Sequence, residues 1–192
     1  MKELIGIIAV ILTFVGLLPY ILDIFKGKTK PHIFTWIIWS VATTVVFFGQ
    51  WVSGGGAGSW TTGATGVITI FITILAFKYG SKDITTLDKI FFIGSLFAIV
   101  PWIITNDPLI SVILLTIIDV CAFIPTIRKS IKNPEEETFF TYALNIVRHS
   151  LSVIALQNYS ITTFLFPSAL IVMNIILTIV ILPSKIRKVK IV

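Results

Sequence analysis

Two opposite charges stand inside otherwise apolar runs of this sequence, Asp119 and Arg148. Each lies about ten residues into its run, so at 1.5 Å per helical residue each would sit roughly 15 Å deep. A charge at that depth costs about 2.5–3.5 kcal/mol on insertion scales, and therefore demands a partner, a proton or water. Two chemistries meet the demand. One is an Asp119–Arg148 ion pair that locks neighbouring helices, and the residues favour it. The other is a titrating Asp119 that couples proton movement to the passage of a solute. His149 adds a group that changes charge near physiological pH, which suits a proton relay or a ligand contact. Beside an arginine it reads more readily as a hydrogen-bonded core residue.

A second constellation suits binding. Trp36, Trp39 and Thr43 are spaced i, i+3, i+7 and so share one helix face. Aromatic faces cover the apolar surface of a small solute, while a few polar groups fix its orientation. Asn145 is a further candidate, because an amide deep in an apolar helix turns toward its neighbours. Ser168, Asn174 and Thr178 mark a polar stripe near the end of the chain.

The elements that must position these residues follow from composition. Hydrophobic residues make up 56% of the 192, charged residues 12%, and mean hydropathy is +0.99. An ordinary soluble domain carries about twice that charge, and a disordered chain lacks the hydrophobicity. Apolar runs of bilayer-crossing length recur instead, at Leu4–Leu22, Ile33–Val52, Thr61–Phe77, Ile90–Thr105, Leu109–Ile127, Thr138–Gln157 and Ile161–Leu182. Backbone polar groups in lipid must be satisfied within a segment, so all seven are expected to be helices. The expected class is an all-α membrane protein with seven transmembrane helices.

Charge orients it. Lys26, Lys28 and Lys30 follow span one; Lys78, Lys82 and Lys89 surround the connection of spans three and four. Arg128, Lys129 and Lys132 follow span five, and Lys185, Arg187, Lys188 and Lys190 form the tail. All fall on one side of a seven-span chain, which the positive-inside rule makes cytoplasmic, with the N-terminus outside. Trp51 and Trp60 would anchor the outer interface, and His32 the inner one. The expected location is a prokaryotic plasma membrane, as a multi-pass protein.

The chain also repeats. A shift of 106 residues lays Pro19 on Pro125, Ile21 on Ile127, Lys26 on Lys132 and Phe34-Thr35-Trp36 on Phe140-Thr141-Tyr142. Span one thereby matches span five and span two matches span six, in the same orientation, as a parallel repeat related by an axis along the membrane normal. The expected domains are a first three-helix bundle (1–80), a linker helix (81–107), a second bundle (108–184) and a basic cytoplasmic tail (185–192). The repeat sets Tyr142, Asn145 and His149 opposite Trp36, Trp39 and Thr43, a polar-aromatic wall facing an aromatic one. Pro19 and Pro125 take equivalent places, where each removes a helical hydrogen bond and either loosens its helix as a hinge or helps to end it.

Leu18-Pro19-Tyr20 and Ile124-Pro125-Thr126, the basic loops after them and the three-one-three plan resemble the PQ-loop superfamily, with its SWEET and SemiSWEET sugar transporters. The resemblance spans nearly the whole chain through loose local motifs. The family's glutamine after the proline is Tyr20 here and Thr126 in the second copy, the prolines of helices two and six are missing, and its Pro-Asn at helix seven appears as Pro167-Ser168. The resemblance implies a small-solute transporter, for a sugar or similar polar metabolite, whose two bundles rock about Pro19 and Pro125, with Ser168 at a binding position. It equally admits a proton-coupled amino-acid or vitamin carrier, or a ligand-binding receptor like the KDEL receptor.

Other classes find little footing. The basic residues (net charge +6) come in short separate clusters, unlike a nucleic-acid surface. The zinc-protease H-E-x-x-H and the hydrolase G-x-S-x-G are both missing, and Cys121 is the only cysteine. No enzyme, metal or cofactor is expected. Gly54-Gly55-Gly56-Ala57-Gly58 lacks the Lys-Ser/Thr of a phosphate loop and reads as a flexible connection. Glu135-Glu136-Glu137 would favour the N-terminus of span six. The expected partners are lipid and a small-molecule substrate; two bundles would suffice as a monomer, and homo-oligomers are equally compatible.

Overall fold

The computed structural model describes residues 1–27, 31, 33–80, 86–132, 134 and 139–189, and all of its elements are helical. They are α1 (Lys2–Phe25), α2 (Ile33–Val52), a 3-10 helix (Gly56–Ser59), α3 (Trp60–Tyr79), α4 (Thr86–Phe97), α5 (Val100–Thr105), α6 (Leu109–Lys132), α7 (Phe139–Ala155) and α8 (Ile161–Val189). Among the described residues four stretches are long and apolar enough to cross a membrane: Lys2–Phe25, Ile33–Val52, Gly56–Tyr79 and Ile161–Leu182. The chain is thus an all-α protein with several long apolar helices, consistent with a multi-span membrane bundle. His32, Lys28, Lys30, Lys82, Glu135–Glu137 and Lys190 lie outside the described residues. So do the side chains of Pro125, Arg128, Lys129, Lys132, Lys185, Arg187 and Lys188.

The other three expected spans are less uniform. Span four is two helices, α4 and α5, separated by a turn at Ala98-Ile99. Pro101 stands in the first turn of α5, where its missing N–H is not needed. In α6 the described apolar stretch runs over Leu109–Cys121. α7 has 17 residues and is amphipathic, with Arg148, His149 and Ser152 buried while Val147 and Ile154 are exposed. Neither repeated proline ends its helix. α1 continues through Pro19 to Phe25, and the α6 backbone continues past Pro125 to Lys132.

The packing order is the same in both halves of the chain. α3 packs against both α1 and α2, and α8 packs against both α6 and α7. Across the halves, α1 lies against α7 and α2 against α6, with α4 covering α2 and α6. Two apolar clusters fill the joints. Ile24, Trp36, Ile68, Ile72 and Leu75 join α1, α2 and α3. Ala42, Val46, Ala98, Val112, Leu115, Phe166 and Leu170 join α2, α6 and α8 with the turn after α4. Large apolar residues on the outside, such as Leu4, Ile11, Val67, Ile74, Ile103 and Ile179, are exposed, as lipid-facing positions would be.

The α2–α3 seam is hydroxyl-rich. Ser40 Oγ lies 2.8 Å from Thr73 Oγ1, and Thr43 Oγ1 lies 3.2 Å from Thr69 Oγ1. Small residues let the backbones approach: a Cβ on Gly63 would stand 2.8 Å from the Phe47 ring.

One end of the bundle is tied by main chain. Gln157 N–H donates to the Gly55 carbonyl (3.1 Å) and Asn158 N–H to the Gly54 carbonyl (3.2 Å). Asn158 Nδ2 donates to Ser53 O, Ser152 Oγ to Gly58 O, Gln50 Nε2 to Thr163 O and Lys2 Nζ to Leu156 O. The glycine-rich segment is therefore a bonded joint, which corrects the expectation of a flexible connection. Its glycines are required: Gly54 and Gly56 have φ of +78° and +57°, and a Cβ on Gly58 would meet the Leu156 backbone at 2.6 Å. Gly58→Val should destabilise the protein by about 1–3 kcal/mol through overpacking, read as a lowered melting temperature in detergent. An unchanged melting temperature would mean that the joint yields freely.

Candidate functional site

The polar stripe of α7 turns toward α1, α3 and α8 because its residues recur at helical spacing, Asn145, Arg148, His149 and Ser152. Arg148 is 7% exposed and is held on three sides. Its Nη1 donates to Thr65 Oγ1 (2.9 Å) on α3 and to Thr13 Oγ1 (3.3 Å) on α1, and its Nε donates to Asn145 Oδ1 (2.8 Å).

The direction of each bond is fixed by its neighbours. The Thr65 hydroxyl gives its proton to Thr61 O and the Thr13 hydroxyl gives its own to Ala9 O. Each threonine thus presents only lone pairs to the guanidinium. Asn145 spends its oxygen on Arg148, so its Nδ2 donates onward to Asn174 Oδ1 (3.1 Å). Asn174, 1% exposed, then donates from Nδ2 to Leu170 O (2.7 Å). The result is a polar relay across four helices that runs outward from Arg148 on α7, to α3 and α1 on one side and through Asn145 to α8 on the other. Its acceptors are hydroxyls, an amide and a carbonyl, and among the described residues no carboxylate neutralises Arg148.

Asp119 sits elsewhere. It is buried on α6, and its carboxylate faces the indole of Trp39 on α2. The expected Asp119–Arg148 ion pair is therefore corrected: the two charges have separate partners. The physical reason is azimuth. α6 and α7 both pack on α8, but Asp119 faces α2 while Arg148 faces α1 and α3.

The aromatic face is also divided. Trp36 is buried against Tyr20 of α1, with ring centroids 5.1 Å apart and its indole N–H donating to the Tyr20 hydroxyl (3.3 Å). Trp39 meets the Trp36 ring edge-on at 5.0 Å and continues to Asp119. Thr43 is buried in the α2–α3 seam, donating to Trp39 O. Trp36 and Thr43 thus pack inside the first half, and only Trp39 crosses to the second. On α7, Tyr142 and Asn145 are half-buried and His149 is buried. Ser168 is half-buried on α8, and Pro19 is exposed on α1. Trp51 is exposed and Trp60 half-buried at their helix ends. Cys121 is a half-buried free thiol.

Sequence reasoning passed over Thr65 and gave Thr13 no binding role. A signal existed: Thr61, Thr65, Thr69 and Thr73 recur every fourth residue and form a hydroxyl stripe on α3. Among the described residues three buried polar atoms are left without a partner, Gln50 Oε1, Thr61 Oγ1 and His149 Nδ1. Such atoms are where a water or a solute group gains most by entering.

No protein-family model matches the chain, and no curated protein or solved structure matches it.

Replacing Thr65 with valine removes an acceptor from a buried cation and should destabilise the fold by about 1–2 kcal/mol. Thr13→Val, with the longer bond, should have the smaller effect. Melting of both variants in the same detergent gives the order, and a reversed order would mean that Arg148 leans on α1.

Proposed function

We propose that this chain is a small-solute carrier with seven transmembrane segments, built as two parallel three-helix bundles, α1–α3 and α6–α8, joined by a linker of α4 and α5. It works by alternating access between the bundles. The observation that carries the proposal is the buried polar relay with members from both halves, Thr13 and Thr65 from one, Asn145, Arg148 and Asn174 from the other. Polar groups this deep in apolar helices face a bundle interior or a solute path.

The shared packing order, α3 beside α1 and α2, α8 beside α6 and α7, supports the repeat. The joint between the α2–α3 and α7–α8 connections supports a gate that is closed at that end. Individually modest hydrogen bonds between halves are contacts that a rocking motion can exchange. With basic residues at the C-terminal ends of α1, α3 and α6 and in the tail, the glycine-rich end is the outer one and the C-terminus is cytoplasmic. Pro19 and Pro125, each inside a helix, serve as hinges.

The test is uptake of a pooled mixture of sugars, amino acids, carboxylates and nucleosides into proteoliposomes, with and without a pH gradient, read by mass spectrometry. Enrichment of at least one solute is expected, and no enrichment under either condition sinks the reading. Asp119, buried with an indole as its partner, favours a second reading in which the carrier is proton-coupled. There, Asp119→Asn abolishes the response to the gradient while leaving exchange at equal pH. In an uncoupled facilitator the same substitution leaves flux unchanged.

A further inference from the structure

We propose that Arg148 is the anchor for a carboxylate group of the solute, so that the carrier takes small organic monoanions or amino acids rather than neutral sugars. The inference rests on the transport reading for its biological meaning, but the binding site stands on its own observations.

The first observation is the unbalanced charge. A guanidinium stays protonated in a protein, and burying it without an anion is among the costlier things a bundle can do. Asp119 is the one buried carboxylate among the described residues, and it faces Trp39 instead. A purely structural tie between Thr13, Thr65 and Asn145 could be made by a neutral amide with no charge penalty.

The second observation is the distribution of donors. Arg148 has five N–H groups. The three bonds to Thr65, Thr13 and Asn145 account for those on Nη1 and Nε, and Nη2 takes no part in them. The threonines, by giving their protons to Ala9 and Thr61 carbonyls, hold the guanidinium plane in one orientation. Residual exposure of 7% means the side chain is not sealed off. This is a preorganised cation with donors in reserve. A charge-assisted bond to a carboxylate is roughly twice as strong as a neutral one, and stronger still away from water.

The third observation is the charge match. A single positive group suits a single negative one; a phosphate dianion would leave excess charge in the bundle. His149, adjacent in sequence and buried with Nδ1 unpaired, supplies a further polar atom on the same helix face.

The experiment measures melting of the purified, unmodified protein in detergent at constant ionic strength. The probes are propionate, lactate and alanine, each compared with its neutral-headed amide (propionamide, lactamide, alaninamide). Binding of an acid should raise the melting temperature by about 2–4 °C at saturation, while its amide does not. Arg148→Lys, which keeps the charge and loses the planar fork, should weaken the response about tenfold or more. Stabilisation by alanine and not by propionate identifies an amino acid; equal response to propionate and alanine identifies a simple monocarboxylate. Both outcomes support the assignment.

Acids and amides acting alike, or no acid acting at all, overturns it. So does an Arg148→Lys variant that folds and responds like the unmodified protein. Acids that bind without crossing the membrane would leave this site standing and remove the transport reading. Uptake of neutral solutes alone would do the reverse.

Discussion

A positive charge placed within apolar helices constrains everything around it. Arg148 cannot shed its proton, so the bundle must surround it with acceptors. It does so with oxygens from three helices, Thr13 of α1, Thr65 of α3 and Asn145 of α7, and it orients each acceptor by giving that residue's own proton or amide group another task. The approach of α1 to α7 and of α3 to its neighbours, and the amide contact that draws α8 in, are all conditions for that charge to be tolerated. Were any one helix displaced by a turn, the guanidinium would lose an acceptor in a medium that offers few substitutes.

The apolar packing provides the frame and leaves the polar centre its freedom. Ile24, Ile68, Ile72 and Leu75 grip Trp36, and through Tyr20 they fix how α1 meets α2. On the other side Val112, Leu115, Phe166 and Leu170 close α6 and α8 over Ala42 and Val46. Asp119 lies beside this second cluster and Arg148 outside both, so the two charges belong to two different interfaces between the halves. Opposite charges kept apart create a field across the bundle that a mutual salt bridge would have cancelled.

The helices were largely legible in the sequence because lipid leaves a chain no other way to satisfy its backbone. α1, α2, α3 and α8 appear close to where hydropathy put them. What the sequence withheld was azimuth. Depth along two helices made Asp119 and Arg148 look like partners, yet depth does not say which way a side chain points, and the helix between them decides. The spacing of Trp36, Trp39 and Thr43 puts them on one broad face of α2, but such a face can serve several neighbours, and here Trp36 meets α1, Thr43 meets α3 and Trp39 turns to α6. The glycine run was misread for a related reason: its role depends on carbonyls meeting N–H groups a hundred residues away, and a local pattern cannot carry that information.

That distance has a consequence for biogenesis. Gly54 and Gly55 accept hydrogen bonds from Asn158 and Gln157, so their partners emerge from the ribosome only after five further helices have been made. At typical synthesis rates the first half waits several seconds with its glycine turn unclosed. During that interval the positive φ of Gly54 and Gly56 is unsupported, and Ala57, Gly58 and Ser59, buried in the finished protein, are bare. The ordering of this end is thus a late event of assembly, a clasp that can shut only once the chain has been made through Asn158. A chain stopped before Gln157 would keep an open, unclasped end by which quality control could recognise it.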